Sequence, residues 1–263
     1  MAVAWWLRAL AAVSLCCALA MAATAAEEEP IEQPNPVGAT EGFLAGNAAG
    51  MLTLALRPAA DQMPVVIVLS EEAAGLLRAG RYIDQLLGAG IAALLLEVDA
   101  GDQATLLLHA AMALARDGRF VPGQIGVIGF GQTGLAAAAA RFPFAARALL
   151  YPGCGELAAA PAEFWAGRQV LLMHGTEDPA NPLAACASAA DGLGAVGAEV
   201  RHVQHRHAGY AWDWPRFGSE RRVRLVAPGM AERVSVTAWP EMAELTAGQV
   251  AGFFFQAFRG AGE

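Results

Sequence analysis

"IGVIGFGQTGLAAAAA", residues 125–140, runs an apolar β-branched strand into a glycine turn and then into an alanine helix. Gly129, Gly131 and Gly134 spell G-x-G-x-x-G, the turn that cradles the pyrophosphate of a dinucleotide. The same stretch reads equally as a nucleophile elbow, a sharp strand-to-helix turn whose tip presents the attacking side chain. In that reading the tip, position 131, holds glycine in place of serine or cysteine. The surrounding sequence decides between the two.

Outward from these glycines, apolar runs alternate with helical patterns. Strands are expected at 51–57, 64–70, 91–98, 124–130, 147–152, 169–174 and 199–204, and helices near 76–89, 102–117, 132–142 and 181–196. Most of the runs are continuously apolar, as in strands covered on both faces. The alternation implies an α/β fold with a mostly parallel, doubly wound sheet and helices on both faces. "RRVRLVAPGMAERVSVTAWP" (221–240) breaks the rhythm with two alternating runs around a Pro-Gly turn, read as a late β-hairpin insertion. A last helix near 240–258 carries Phe253, Phe254, Phe255 and Phe258, expected to pack on the sheet.

A dinucleotide fingerprint opens its domain and finds an acid about 20 residues on, at the tip of the next strand. Here three strand candidates precede the glycines, and the next strand ends at Tyr151-Pro152 with Glu156 beyond a glycine turn. No cofactor is therefore expected. The elbow reading gains support downstream, where nucleophile, acid and histidine should follow in chain order on strand-exit loops. "LLMHGTEDPANPLAAC" (171–186) places Asp178 in one such loop, and "HRHAGYAWDWP" (205–215) supplies the next.

These residues resemble the dienelactone hydrolase family of the α/β-hydrolase superfamily. The likeness rests on G-F-G-Q-T-G at 129–134, H-G-T-E-D-P-A-N-P at 174–182 and H-A-G-Y-A-W-D at 207–213, and spans roughly residues 50–258. It implies an α/β-hydrolase fold with Gly131 at the nucleophile position, Asp178 as the acid and Tyr210 at the histidine position. The oxyanion donors would be the backbone N–H of Gln132 and one near the exit of the strand ending at Ser70. Glu71 and Glu72 in "LSEEAAG" would then lie near a developing negative charge and oppose it. A phenol is a poor base at neutral pH, its ordinary pKa being about 10. The resemblance thus implies a family member with little or no hydrolytic activity that binds a small ester- or lactone-like molecule, or serves as an interaction module. The competing expectation is an active ester or lactone hydrolase with a non-standard nucleophile.

Candidates for that role are Cys154, whose other reading is a disulfide with Cys186, Ser70, whose other reading is a turn or cap, and Thr133. His207, three residues before position 210, is a candidate to reach Asp178 by loop rearrangement. Tyr210, Trp212 and Trp214 are either a pocket wall or core aromatics. Among the other histidines, His174 reads as structural and His109 as a helix residue, while His202 and His205 fall on opposite faces of a strand. No metal site is expected.

The N-terminus carries Arg8 and then an uncharged run from Ala9 to Ala26, with small residues at Ala23 and Ala25 before "EEEP". This reads as a signal peptide over 1–26, followed by a linker or N-terminal arm (27–45) and one domain over 46–263. The alternative is an uncleaved anchor. Cleavage leaves Cys154 and Cys186, compatible with a periplasmic or secreted protein and no stable membrane insertion afterwards. The net charge of −8, with no lysine in the chain, argues against nucleic acid as a partner, since no basic stripe is evident to neutralise phosphates.

Overall fold

The computed structural model describes residues 39–56, 62–71, 75–98, 101–157, 161–215 and 222–260. The expected signal peptide and most of the arm lie outside them. An eight-stranded sheet runs in the order β1-β2-β4-β3-β5-β6-β7-β8. Its strands are β1 (Thr40–Ala45), β2 (Ala48–Thr53), β3 (Met63–Glu71), β4 (Ala92–Val98), β5 (Phe120–Phe130), β6 (Ala146–Leu150), β7 (Gln169–Gly175) and β8 (Glu199–His205). From β4 through β8 every pairing is parallel, whereas β1, β2 and β4 pair antiparallel. The helices are α1 (Gly75–Gly88), α2 (Gln103–Leu114), α3 (Gln132–Ala139), α4 (Leu183–Ala195) and α5 (Pro240–Gly260).

The central stretches Val65–Leu69 of β3, Ile125–Phe130 of β5 and Ala146–Leu150 of β6 are buried because both faces are covered. A β-carbon on Gly126 would overlap the Phe254 ring, while one on Gly129 would meet Gly134 and the Thr133 carbonyl. Residues three apart on a strand point to opposite faces, so α5 covers one face of β5 and α3 the other. Phe253, Phe254 and Phe258 are buried as expected, and Phe255 faces outward.

Two boundaries differ from expectation. β1 lies inside the stretch read as an arm, because the prolines that suggested a linker all precede residue 37. "TEGFLA" instead turns at Gly46 (φ +60°) and pairs with β2, which itself starts earlier than expected. The late hairpin forms as β9 (Arg222–Leu225) and β10 (Val234–Thr237), and the expected Pro228-Gly229 turn, closed by the Met230 N–H on the Ala227 carbonyl (3.2 Å), sits within a longer connecting loop. Pro228 packs against Gly153, and Arg224 and Arg233 exchange hydrogen bonds with each other's carbonyls, which holds that loop.

Arg147 on β6 is a buried fastener. Its guanidinium donates to the carbonyls of Ala137 (3.2 Å), Ala140 (3.3 Å), Phe142 (2.8 Å) and Phe164 (3.0 Å). It also lies over the rings of Trp165 and Phe144. Burial, with Arg168 nearby, pulls its pKa down to about 9, so it remains charged at neutral pH. Arg147→Met abandons four buried acceptors. We expect it to lower the unfolding free energy by about 3 kcal/mol or more, read by urea denaturation.

Candidate active site

The turn between β5 and α3 has the shape of an elbow. Gly131, its tip, has φ +51° and ψ −117°, a conformation that strains any residue with a β-carbon. Its N–H donates to the Leu150 carbonyl (3.0 Å), and its own carbonyl accepts from Gly134 (3.0 Å). Thr133 tightens the turn, its hydroxyl accepting from Phe130 N–H (2.7 Å) and contacting the Leu69 carbonyl of β3 (3.2 Å). That buried clamp excludes Thr133 as a nucleophile.

The space beyond the tip is occupied. A β-carbon on Gly131 would overlap the Tyr210 hydroxyl and lie 3.3 Å from its Cζ. Tyr210 is buried, and its ring meets Tyr151 edge-on at 5.2 Å. Burial raises its pKa further above the ordinary phenol value, with Arg78 opposing and Glu71 and Asp178 adding. A phenol so placed cannot serve as a neutral-pH base.

Asp178 is buried in the β7 exit loop and close enough to act electrostatically on Tyr210. Its hydrogen bonds go to its own loop, from Ala180 N–H (2.9 Å) and Asn181 Nδ2 (2.8 Å). Asn181 Oδ1 in turn accepts from the N–H groups of Gly153 (2.8 Å) and Cys154 (3.1 Å). The Cys154–Cys186 disulfide, with Cα atoms 4.9 Å apart, ties the loop after β6 covalently to the first turn of α4, just beyond the Asp178 loop. Cys154 is therefore not a free thiol, and this ends its candidacy as nucleophile.

The other sequence candidates separate. Ser70 is buried and donates toward the Gly75 carbonyl (3.3 Å), a cap role. Gln132 starts α3 with its side chain exposed, and its backbone N–H is one of the first-turn donors of that helix. Glu71 is half-buried. Burial raises its pKa, Arg78 lowers it, and it faces that guanidinium and Asp213 instead of acting alone. Glu72 lies outside the described residues.

His207 does not reach Asp178. Its left-handed backbone (φ +61°) turns the exposed ring outward to Glu177, 2.9 Å away. His174 is buried and shares a 2.9 Å Nε2–Nε2 contact with His202, whereas His205 lies on the other face against Trp212. No cluster of metal ligands occurs among the described residues.

A second set of residues escaped the sequence reading. Asp213 is fully buried and receives hydrogen bonds from Tyr82 (2.6 Å), Tyr151 and Arg78 (3.3 Å). Arg78 also donates to Tyr151 (2.7 Å) and stacks on Trp214 and Phe130. Burial opposes its charge, but Tyr151 and Asp213 outweigh that and hold the guanidinium protonated. Trp212 is buried and donates from its indole to Thr246 (3.3 Å). One signal was present in the sequence: Arg78 sits in the buried stripe Ala79, Tyr82, Ile83, Leu86 of α1, where an arginine needs a buried partner.

No protein-family model matches the chain, and no curated protein sequence matches it either. Solved structures do. A dienelactone hydrolase from Anabaena variabilis superposes with TM-score 0.59 at 15% identity, over 83% of this chain and 97% of its own. A hyperthermophilic esterase from the archaeon Pyrobaculum calidifontis gives 0.60 at 12%, over 84% and 86%. A putative dienelactone hydrolase from Klebsiella pneumoniae gives 0.55 at 16%, over 83% and 98%. The chain has a dienelactone hydrolase-like α/β-hydrolase fold.

Two outcomes follow. Gly131→Ala is expected to cost about 2–4 kcal/mol, from backbone strain plus the overlap with Tyr210. Tyr210→Phe should recover part of that loss in a double-mutant cycle, and strict additivity would disprove the contact. For Asp178, burial pushes the pKa up to about 6 against the hydrogen bonds of Ala180 and Asn181. The folded carboxyl then binds its proton more tightly than the unfolded one. Its contribution to stability is thus greatest below about pH 4 and declines as pH rises through 6. Carboxyl NMR titration should place its midpoint near 6.

Proposed function

We propose that this protein is an exported α/β-hydrolase-fold protein with a degenerate catalytic triad, which binds a small ester- or lactone-like molecule without hydrolysing it. One observation carries the reading: the Tyr210 hydroxyl fills the volume that a nucleophile's β-carbon would need at Gly131. Loss of both nucleophile and histidine from a triad costs on the order of 10⁶ in turnover, leaving only the contribution of binding and oxyanion contacts. The disulfide and the buried, bonded Ser70 supply no substitute.

Export rests on the N-terminal run and is supported by the disulfide, a bond that persists in oxidising compartments. The acidic net charge of −8 argues against a nucleic-acid partner. Among the described residues no helix is long and apolar enough to cross a membrane.

The mature chain, assayed on p-nitrophenyl acetate and on a five-membered lactone, is expected to show no turnover above the uncatalysed rate. Turnover that vanished in Ser70→Ala would overturn the proposal. Gly131→Ser combined with Tyr210→His opens the filled volume and restores a base within reach of Asp178. That double variant should hydrolyse p-nitrophenyl acetate about tenfold or more faster than the wild type. A folded variant without gain would mean that position 131 is not the centre of the site.

A further inference from the structure

A separate cavity of about 370 Å³ opens between the acid loop, the loop after β8 and the exit of β10. That size falls at the small end of the range for ligand sites, about 300–1,000 Å³. Glu177, His207, Trp212, Ser235, Thr237 and Trp239 line it, and Gly131, Asp178 and Tyr210 do not. It therefore stands whether or not the elbow is catalytically silent.

The lining is built. On β10, Val234 and Val236 are buried, which leaves Ser235 and Thr237 with their hydroxyls on the open face. The Trp239 N–H donates to the Trp212 carbonyl (2.8 Å), tying the hairpin exit to the loop after β8. Trp239 stays 36% exposed at the cavity, so its ring offers an open apolar face. Across the cavity, His207 keeps a left-handed backbone fixed by a hydrogen bond from its N–H to Thr176 Oγ1 (3.0 Å). Strained non-glycine residues held in this way gather at functional sites. The strain sets His207 Nδ1 2.9 Å from Glu177 Oε1, while His207 Nε2 and Glu177 Oε2 bond to no described residue.

We propose that this cavity binds a neutral saccharide ring. A sugar presents an apolar C–H face and a rim of hydroxyls that both donate and accept. Tryptophan offers a rigid apolar surface for the first. Glu177 accepts only, the imidazole carries a further ring nitrogen, and Ser235 and Thr237 do both. Adjacent hydroxyls of one ring can thus span the Glu177–His207 pair. An anionic ligand would meet the Glu177 carboxylate, and a cationic one is the competing occupant that the test below includes.

The test is calorimetric titration of the mature chain with D-glucose, D-galactose, D-xylose and N-acetyl-D-glucosamine, with tetramethylammonium as the cationic probe. At least one sugar should bind saturably. Affinity should fall about tenfold or more in both Glu177→Gln and Trp239→Ala, and less in Trp239→Phe. Glu177 is exposed, so its variant reports even if Trp239→Ala fails to fold. Absence of binding by all four sugars, binding of tetramethylammonium alone, or affinity unchanged in Glu177→Gln would each overturn the proposal.

Discussion

The site is organised by the steric exclusion between position 131 and the phenol of Tyr210. A backbone at φ +51° and ψ −117° carries a side chain only under strain, and acyl-transfer elbows accept that strain to expose a nucleophile. Glycine adopts it without a steric penalty. Removing the β-carbon also leaves a void, and here the Tyr210 hydroxyl fills it. The two residues are therefore one structural unit. A side chain cannot be added at position 131 without displacing the Tyr210 hydroxyl.

Tyr210 can hold that position because the residues after it are anchored more firmly than a loop ordinarily is. Asp213, three residues on, gathers Tyr82, Tyr151 and Arg78 into one buried hydrogen-bonded node. Arg78 and Tyr82 lie on α1 and Tyr151 at the exit of β6, so the node fixes the loop to two elements at once. Buried charge of this kind is costly unless every member is paired, and truncating one member leaves its partner uncompensated. The geometry above Gly131 is consequently set from below, by Asp213, as well as by Tyr210 itself.

Much of this was legible in the sequence and some was not. The parallel strands declared themselves because burial on both faces demands unbroken apolar runs, as in "PVVIVLS" and "QVLLMH". The elbow, Asp178 and the loop of Tyr210 followed from the order of motifs along the chain. β1 was hidden because its strand is short, half-exposed and adjacent to a proline-rich stretch. The Asp213 node was hidden for a different reason. Its members lie up to 135 residues apart, and only packing brings them together. The His207–Glu177 pair was not legible either, because it joins two loops 30 residues apart in the chain.

Asp178 illustrates how a buried carboxylate can serve the structure of its own loop. It receives two hydrogen bonds within its loop, and through Asn181 it organises the N–H groups of Gly153 and Cys154 beside the disulfide. Those contacts do not involve a histidine, so the acid has a structural task independent of any triad. The same burial that raises its pKa makes the ionised form costly near neutral pH. A catalytic carboxylate offsets that cost by stabilising an imidazolium, whereas here Tyr210 remains neutral and returns nothing electrostatically. The loop must therefore be held by other means, and the Cys154–Cys186 crosslink, which constrains the unfolded chain, is the device available to it.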